Sequence, residues 1–248
     1  MCNTTALVLL GSSQSADEEN IPTEVPAYVP ADTLSQAAYD VARSNLHPTI
    51  LNHSLRTFIY ALSVSEQEKL GWHEPDRLPL LFTAAIFHDM GTTDICDGPQ
   101  RFEVEGADAA VSFLRGHDVP EEDRKEVWVR YWRYSICRTL NADSSKKLAI
   151  GLHTCSGIAE RATTMSRSIR QGVLIDFKRP AVLKLVDPVL IDKVERIFSR
   201  GEPEKILGDA VVEQALRQPS KAPSATWPGQ LTRSRRENPE WQGVNKEF

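Results

Sequence analysis

The chain has 248 residues and a formal net charge of −5, from 29 Lys and Arg against 34 Asp and Glu residues. Its length favours one domain with terminal arms, and a hydrophobic content of 41% is sufficient for a sizeable core. The negative charge gives no electrostatic case for nucleic acid or an anionic membrane as the main partner. The four cysteines include no C-x-x-C pair, which excludes a zinc-finger pattern and indicates reduced thiols. No stretch reaches the roughly 18 apolar residues of a membrane span.

The two ends of the chain have the composition of irregular arms. Residues 11–32 combine Ser, Asp, Glu and Pro with few apolar side chains, and the chain becomes rich in Pro, Ser and Arg from Gln218. The N-terminal run T-A-L-V-L-L is short and has no basic region, so no signal peptide is predicted and the protein is expected to be cytoplasmic. We therefore predict a flexible N-terminal arm over residues 1–30, a helical domain over residues 31–205 and a C-terminal tail over residues 206–248.

The domain begins with two predicted helices. Thr33 starts the first and Pro48 starts the second, in which apolar residues recur at amphipathic helical spacing. His53 and Arg56 are three positions apart on the second helix, so they are neighbours on one face. His53 is therefore either a structural histidine or a metal ligand.

The segment 78–91, L-P-L-L-F-T-A-A-I-F-H-D-M-G, predicts a helix that has no polar face and is buried on all sides. His88 and Asp89 stand at the end of this helix. Burying an ionised carboxylate is costly unless a partner compensates the charge. A divalent metal held by both side chains would do so, and imidazole with carboxylate is a common ligand set. The alternative is an ordinary helix end, where Asp89 meets solvent and His88 caps carbonyl groups.

Two further features follow the buried helix. Glu103, in R-F-E-V-E-G-A-D, begins another helix and could serve a metal ion, its water or Arg101, or simply favour the helix dipole. Residues 129–147 interleave aromatic and basic side chains without helical or strand periodicity. Such a composition can bind single-stranded nucleic acid, but an irregular insert fits an acidic protein better.

Helical patterning resumes at residue 148 and ends in His153 and Thr154. Asp176 is a single carboxylate within the apolar run G-V-L-I-D-F, so it is expected to have a partner, either a metal ion or a nearby arginine. The apolar stripe over residues 182–198 predicts one helix. Since no strand or glycine-rich phosphate loop is evident, the predicted fold class is all-α.

The order of these residues, H…HD…D, resembles that of the HD-domain superfamily of metal-dependent enzymes. The local sequence motifs resemble those of the fungal cyanamide-hydratase-like HD family more specifically. The matching segments are L-N-H-S-L-R (51–56), A-A-I-F-H-D-M-G (84–91), R-F-E-V-E-G-A-D-A-A (101–110), G-L-H-T-C-S-G-I-A (151–159), G-V-L-I-D-F (172–177) and E-N-P-E-W-Q-G-V-N-K-E-F (237–248). In that family the helix ending in E-V-W runs directly into the L-H-T motif, so residues 129–147 are an insertion, for which a retained intron is one hypothesis.

The resemblance implies an all-α HD-domain helical bundle around a metal site, with irregular N- and C-terminal arms. It implies Zn²⁺ as the cofactor, with Fe²⁺ or Mn²⁺ as alternatives. The implied metal ligands are His53, His88, Asp89 and Asp176. The implied catalytic and supporting residues are Asp89, His153, Thr154, Arg56 and Glu103.

The activity implied by the resemblance is that of a metal-dependent hydro-lyase related to cyanamide hydratase, which adds metal-activated water to a small nitrile such as cyanamide and gives urea. One alternative is an HD phosphohydrolase acting on a nucleotide, which would need clustered Arg or Lys for the phosphates. Another is an HD-domain scaffold or tailoring protein of secondary metabolism, which the irregular insert supports. The expected partner is a small-molecule substrate, without nucleic acid or membrane, and self-association is left open.

Overall fold

A computed structural model describes residues 27–127 and 150–240, and these residues form helices and contain no strand. The all-α fold class predicted from the sequence is thus confirmed. No helix within these two ranges is long and apolar enough to cross a membrane. The predicted insert at 129–147 and residues 1–26 of the predicted arm lie outside the described residues. The α-helices are α1 (Thr33–Asn45), α2 (Pro48–Gln67), α3 (Leu78–Phe87), α4 (Phe102–Gly116), α5 (Glu121–Val127), α6 (Ala159–Ala162), α7 (Thr164–Asp176), α8 (Pro180–Leu183), α9 (Pro188–Ile197), α10 (Pro203–Arg217) and α11 (Trp227–Glu237).

Helix α3 is packed on all sides, as its lack of a polar face predicts. Pro79 stands in the first turn, where its missing N–H has no intrahelical partner to lose. Every residue from 80 to 87 is buried, and α1, α2 and α4 all contact this helix. The ring of Phe82 meets that of Phe58 on α2 edge-on, with centroids 4.9 Å apart. The buried environment continues past the end of α3 to the two residues that follow it.

Helices α2 and α7 approach closely at Gly172. A Cβ atom on this residue would lie 2.5 Å from the carbonyl oxygen of Thr57 and 3.2 Å from the Cβ of Ala61, so a side chain would force the helices apart. Asp176 lies one turn further along α7, while His53 lies one turn from Thr57 towards the start of α2. The close approach therefore brings Asp176 to His53.

The chain leaves α3 through a short 3-10 helix, Met90–Thr92, and turns tightly against α4. A Cβ on Gly91 would lie only 1.8 Å from the carbonyl oxygen of Phe102, so glycine is required at this contact. Gln214 of α10 donates a hydrogen bond from Nε2 to the Gly91 carbonyl at 2.9 Å. The segment carrying His88 and Asp89 is thereby held between two other parts of the fold.

Two helices, α10 and α11, lie within residues 203–237, where the sequence analysis placed most of an irregular C-terminal tail. Leu207 and Val211 of α10 and Leu231 of α11 belong to the core. Thr226 caps α11 by accepting a hydrogen bond from the Gly229 amide at 3.3 Å. The structure differs from the prediction because burial of a few apolar residues stabilises helices that the local composition only weakly favours.

Lys221, between α10 and α11, is a buried cation that ties the C-terminal segment to the loop after Met90–Thr92. Its Nζ contacts the carboxylate of Asp97 and donates to the carbonyl oxygen of Gly98 at 2.9 Å, and only 3% of the residue is exposed. Arg217 adds a hydrogen bond to Asp97 at 2.8 Å. The C-terminal segment is thus attached to the loop that follows the candidate site.

The single helix predicted over residues 182–198 is two helices, α8 and α9. Asp187 accepts a hydrogen bond from the Val189 amide at 2.9 Å and so acts as an N-cap, and Pro188 occupies the first helical position. Proline has no N–H group to donate to a preceding turn, so one continuous helix is interrupted here. The apolar stripe continues on both sides of this break.

Candidate metal centre

His53 of α2 meets His88 and Asp89, which follow α3, in the interior of the bundle. None of the three residues has any exposed surface. The Nε2 atoms of His53 and His88 are 3.1 Å apart. Oδ2 of Asp89 lies 3.1 Å from Nε2 of His88 and 3.5 Å from Nε2 of His53. The three side chains form a buried group that could hold a metal ion.

The backbone at the end of α3 explains how two consecutive side chains reach one point. His88 retains helical torsion angles, whereas Asp89 lies outside the helical region with φ −106° and ψ 4°. Side chains at adjacent positions of a regular helix diverge by about 100°, so this change of backbone conformation is needed for both to face His53.

The contacts of two histidines fix which of their ring nitrogens faces this group. Nδ1 of His88 lies 2.6 Å from the carbonyl oxygen of Ala85, and Nδ1 of His153 lies 2.6 Å from that of Ile150. A carbonyl oxygen can only accept, so both Nδ1 atoms carry protons. In the neutral ring the Nε2 atom then presents its lone pair, which is the arrangement found in metal-binding histidines.

Asp176 fixes which ring nitrogen of His53 faces this group, as the backbone carbonyls do for His88 and His153. Its Oδ2 atom lies 2.6 Å from Nδ1 of His53, while Arg56 donates to Oδ1 at 2.6 Å and to Oδ2 at 3.0 Å. Burial raises the pKa of Asp176, but His53 and Arg56 lower it by more, so the carboxyl is ionised. The sequence analysis predicted Asp176 as a metal ligand; the structure places it behind His53, at the nitrogen opposite the shared group. The nearby arginine considered as its partner is Arg56.

Asp89 is a buried carboxylate without a compensating hydrogen bond. Neither of its oxygens has a hydrogen bond of good geometry within the described residues. Burial raises its pKa, but the adjacent His88 and the other two histidines outweigh this effect, and the pKa is held far below the ordinary range. Burial also lowers the pKa of His53, whereas Asp89 raises that of His88 despite burial. Without a metal ion, His88 therefore holds a second proton to higher pH than His53 does.

The donor atoms have the types that a divalent ion requires, and their separations are close to those between ligands of one ion. Donors on one tetrahedral zinc ion lie about 3.3–3.6 Å apart, because each bond is about 2.0–2.2 Å long. The three separations here are 3.1, 3.1 and 3.5 Å. An ion would also satisfy the oxygens of Asp89, which supports the expectation that this group binds metal.

The sequence analysis predicts Thr154 and His153 near a substrate, and both residues line the same cavity as His53, His88 and Asp89. Nε2 of His153 is 3.6 Å from Oδ1 of Asp89. The hydroxyl of Thr154 donates to Oε1 of Glu103 at 2.8 Å, and Glu103 is fully buried. Arg101 lies 3.9 Å from the other oxygen of Glu103. The structure thus brings Glu103 to Thr154, whereas Arg56 contacts Asp176 and does not line the cavity described next.

A cavity of about 730 Å³ opens from the candidate metal centre, and His53, His88, Asp89, His153 and Thr154 line it there. The sequence analysis missed part of the lining, which includes Trp227 and Gln230 of α11. No motif marks these two residues, and the only signal was a tryptophan in an otherwise polar C-terminal segment.

Comparison with known proteins gives no assignment: no family model matches the chain, and no curated protein matches it. We therefore infer the function from the geometry of the site and from the sequence motifs.

Proposed function

We propose that the protein is a metal-dependent HD-domain hydratase that adds water to the carbon–nitrogen triple bond of a small nitrile such as cyanamide. The observation that carries the proposal is the buried group of His53, His88 and Asp89, whose donor atoms face one another within 3.5 Å. Two imidazoles with one carboxylate suit zinc, with iron or manganese as the alternatives. The five sequence motifs shared with cyanamide-hydratase-like proteins within residues 51–177 supply the substrate class.

In this proposal His53, His88 and Asp89 hold the ion, and Asp176 orients His53. A bound divalent ion would lower the pKa of a water molecule and polarise the substrate. Asp176 accepts a hydrogen bond from the Nδ1–H group of His53 and thereby keeps the Nε2 lone pair directed at the centre. Arg56 holds Asp176 in turn, and also donates to the carbonyl oxygen of Ser199 at 2.8 Å.

His153 and Thr154 are the residues proposed to handle protons and orient the substrate. Since Nδ1 of His153 donates to a backbone carbonyl, its Nε2 atom is available to take a proton and return it to the nitrile nitrogen. The Thr154 hydroxyl donates to Glu103, so its lone pairs can accept a hydrogen bond from an N–H group of cyanamide or of the product.

The charges around the cavity favour this reaction over nucleotide hydrolysis. Arg101 lies against Glu103 at 3.9 Å, and Arg170 lies against Glu160 at 3.5 Å. Arg56 is committed to Asp176. Phosphate groups need arginine or lysine side chains whose charge is not already balanced, and the lining arginines Arg101 and Arg170 each have a carboxylate partner.

The proposal is tested by metal analysis of the purified full-length chain together with urea release from cyanamide. We expect about one divalent ion per chain and urea release that His88→Ala abolishes together with metal binding. His73→Ala, at an exposed histidine paired with Glu74, is the control and should retain both. Bound metal with phosphate release from nucleotides, and no urea, would indicate the phosphohydrolase instead. A folded chain that binds no metal would indicate a scaffold.

A further inference from the structure

The cavity is much larger than cyanamide requires. Its volume of about 730 Å³ lies within the roughly 300–1,000 Å³ of pockets that bury drug-sized ligands. Cyanamide has only a few heavy atoms, so it could contact the metal centre and Thr154 but would leave most of the cavity wall without a ligand contact. A substrate matched to this volume needs a substituent of at least the size of an aromatic ring.

The cavity wall away from the metal centre is mainly apolar and includes aromatic rings on two sides. Phe177 stacks on His53 with ring centroids 4.9 Å apart and an interplanar angle of 27°. Trp227 approaches from α11, with its ring 5.7 Å from that of Phe102. The aliphatic side chains of the same lining include Val173, Leu174, Val182 and Leu207. Such a wall stabilises an apolar or aromatic substituent by burying it and by stacking.

Two of the arginine side chains that line the cavity do not indicate an anionic ligand. Arg101 and Arg170 have Glu103 and Glu160 as partners. At these two lining arginines the positive charge is therefore offset locally, and an anionic substituent would have to be desolvated against the apolar wall.

From this combination of volume, apolar wall and balanced charge, we propose that the preferred substrate is an uncharged organic nitrile with a ring-sized apolar substituent, which lies between Phe177 and Trp227 while the nitrile group meets the metal centre. This inference rests on the proposed hydratase function. The oxygen of one water molecule bonds to the nitrile carbon, the carbon–nitrogen triple bond is lost, and both water protons end on nitrogen. The product is a primary amide, and neither oxidant nor reductant is needed.

The test compares phenylacetonitrile with cyanamide, using the full-length, metal-loaded protein. Amide or urea release gives kcat/KM, and titration calorimetry gives Kd independently of turnover. We expect kcat/KM for phenylacetonitrile to exceed that for cyanamide by about tenfold or more, because each buried methylene alone is worth roughly tenfold. Cyanomethylbenzoate, which keeps the ring and the nitrile group and adds a carboxylate on the ring, should bind more weakly than phenylacetonitrile.

Variants locate the substituent within the cavity. Trp227→Ala should raise KM for phenylacetonitrile more than KM for cyanamide. Ala181→Phe narrows the cavity from an exposed lining position, so it should have the same selective effect without disturbing the core. Ala31→Phe, at an exposed position that does not line the cavity, should leave both values unchanged.

The outcomes separate the two proposals. Urea release from cyanamide without binding of phenylacetonitrile would overturn the substrate inference and leave the hydratase function supported. If cyanomethylbenzoate binds as tightly as phenylacetonitrile or more tightly, the inference that the substituent is uncharged is overturned. If metal-loaded protein hydrates neither nitrile, the hydratase proposal is overturned; absence of calorimetric phenylacetonitrile binding would then overturn the cavity assignment as well.

Discussion

Asp176 and Arg56 form a fully buried pair behind His53, and this pair determines which imidazole nitrogen faces the cavity. Asp176→Asn removes the negative charge but keeps the shape of the side chain. Metal affinity should fall by about 10–100-fold, as for other residues that orient a ligating histidine. The measurement is competition with a chromophoric chelator. Asp187→Asn, at the exposed cap of α9, is the matched control and should retain full affinity. Unchanged affinity in Asp176→Asn would contradict this role.

At the residue scale, the sequence motifs identified which side chains gather but not how each one is used. His53, His88 and Asp89 converge because each is fixed by a motif at the end or on the buried face of a helix. The position of Asp176 depends on whether Nδ1 or Nε2 of His53 points to the centre. That choice is made by tertiary contacts with α7, which the order of residues does not specify.

At the scale of the elements, the contact at Gly172 sets the distance between α2 and α7. Gly172→Ala should destabilise the protein by about 1–3 kcal/mol, because an added methyl group meets the backbone of α2. It should also weaken metal binding by moving Asp176 away from His53. Gly116→Ala is the control, since a Cβ there meets nothing within 4 Å. Denaturant unfolding and chelator competition would measure the two effects, and equal stability of the two variants would contradict the prediction.

The docking of α11 can be tested with a pair of leucines. Leu231 is 1% exposed, whereas Leu216 near the end of α10 is 51% exposed. Leu231→Ala should cost about 2–5 kcal/mol of unfolding free energy, as for other buried leucines, and Leu216→Ala should cost less than about 0.5 kcal/mol. Equal losses in denaturant unfolding would mean that α11 does not contribute to the core in solution.

The elements differ in how well local sequence predicts them. Helices α2 and α3 carry strong signals, an amphipathic stripe and an uninterrupted apolar run, and the structure has both. Helix α11 carries three arginines and few apolar residues, and it is formed largely through the burial of Leu231 and Pro228 against the rest of the chain. Such long-range stabilisation leaves little trace in local periodicity.

At the scale of the whole molecule, removal of metal should lower stability, and the loss should grow as pH rises. A ligand at about 100 times its Kd stabilises by about 2.7 kcal/mol. Burial lowers the pKa of His88, but the neighbouring Asp89 raises it by more. The metal-free protein therefore keeps a stabilising proton on His88 at low pH. That stabilisation is complete below the ordinary imidazole pKa of about 6.5 and is lost as pH rises through the raised value.

Calorimetric scans with and without chelator, at about pH 5.5 and about pH 8, would measure this effect. We expect a larger chelator-induced fall in Tm at the higher pH, because fewer protons then compete for the nitrogen of His88. A fall that is equal or larger at the lower pH would contradict the prediction. The same scans on His88→Ala should show no chelator effect at either pH.

The separation along the chain of the residues at the metal centre has a consequence for the order of folding. His53 and His88 are 35 positions apart, and Asp176 is 123 positions from His53. Closing chain segments of this length costs entropy before any contact between them is gained. An ion can therefore bind with full affinity only after α2, α3 and α7 have docked. Metal would then act chiefly by slowing unfolding, with little effect on the rate at which the chain first folds.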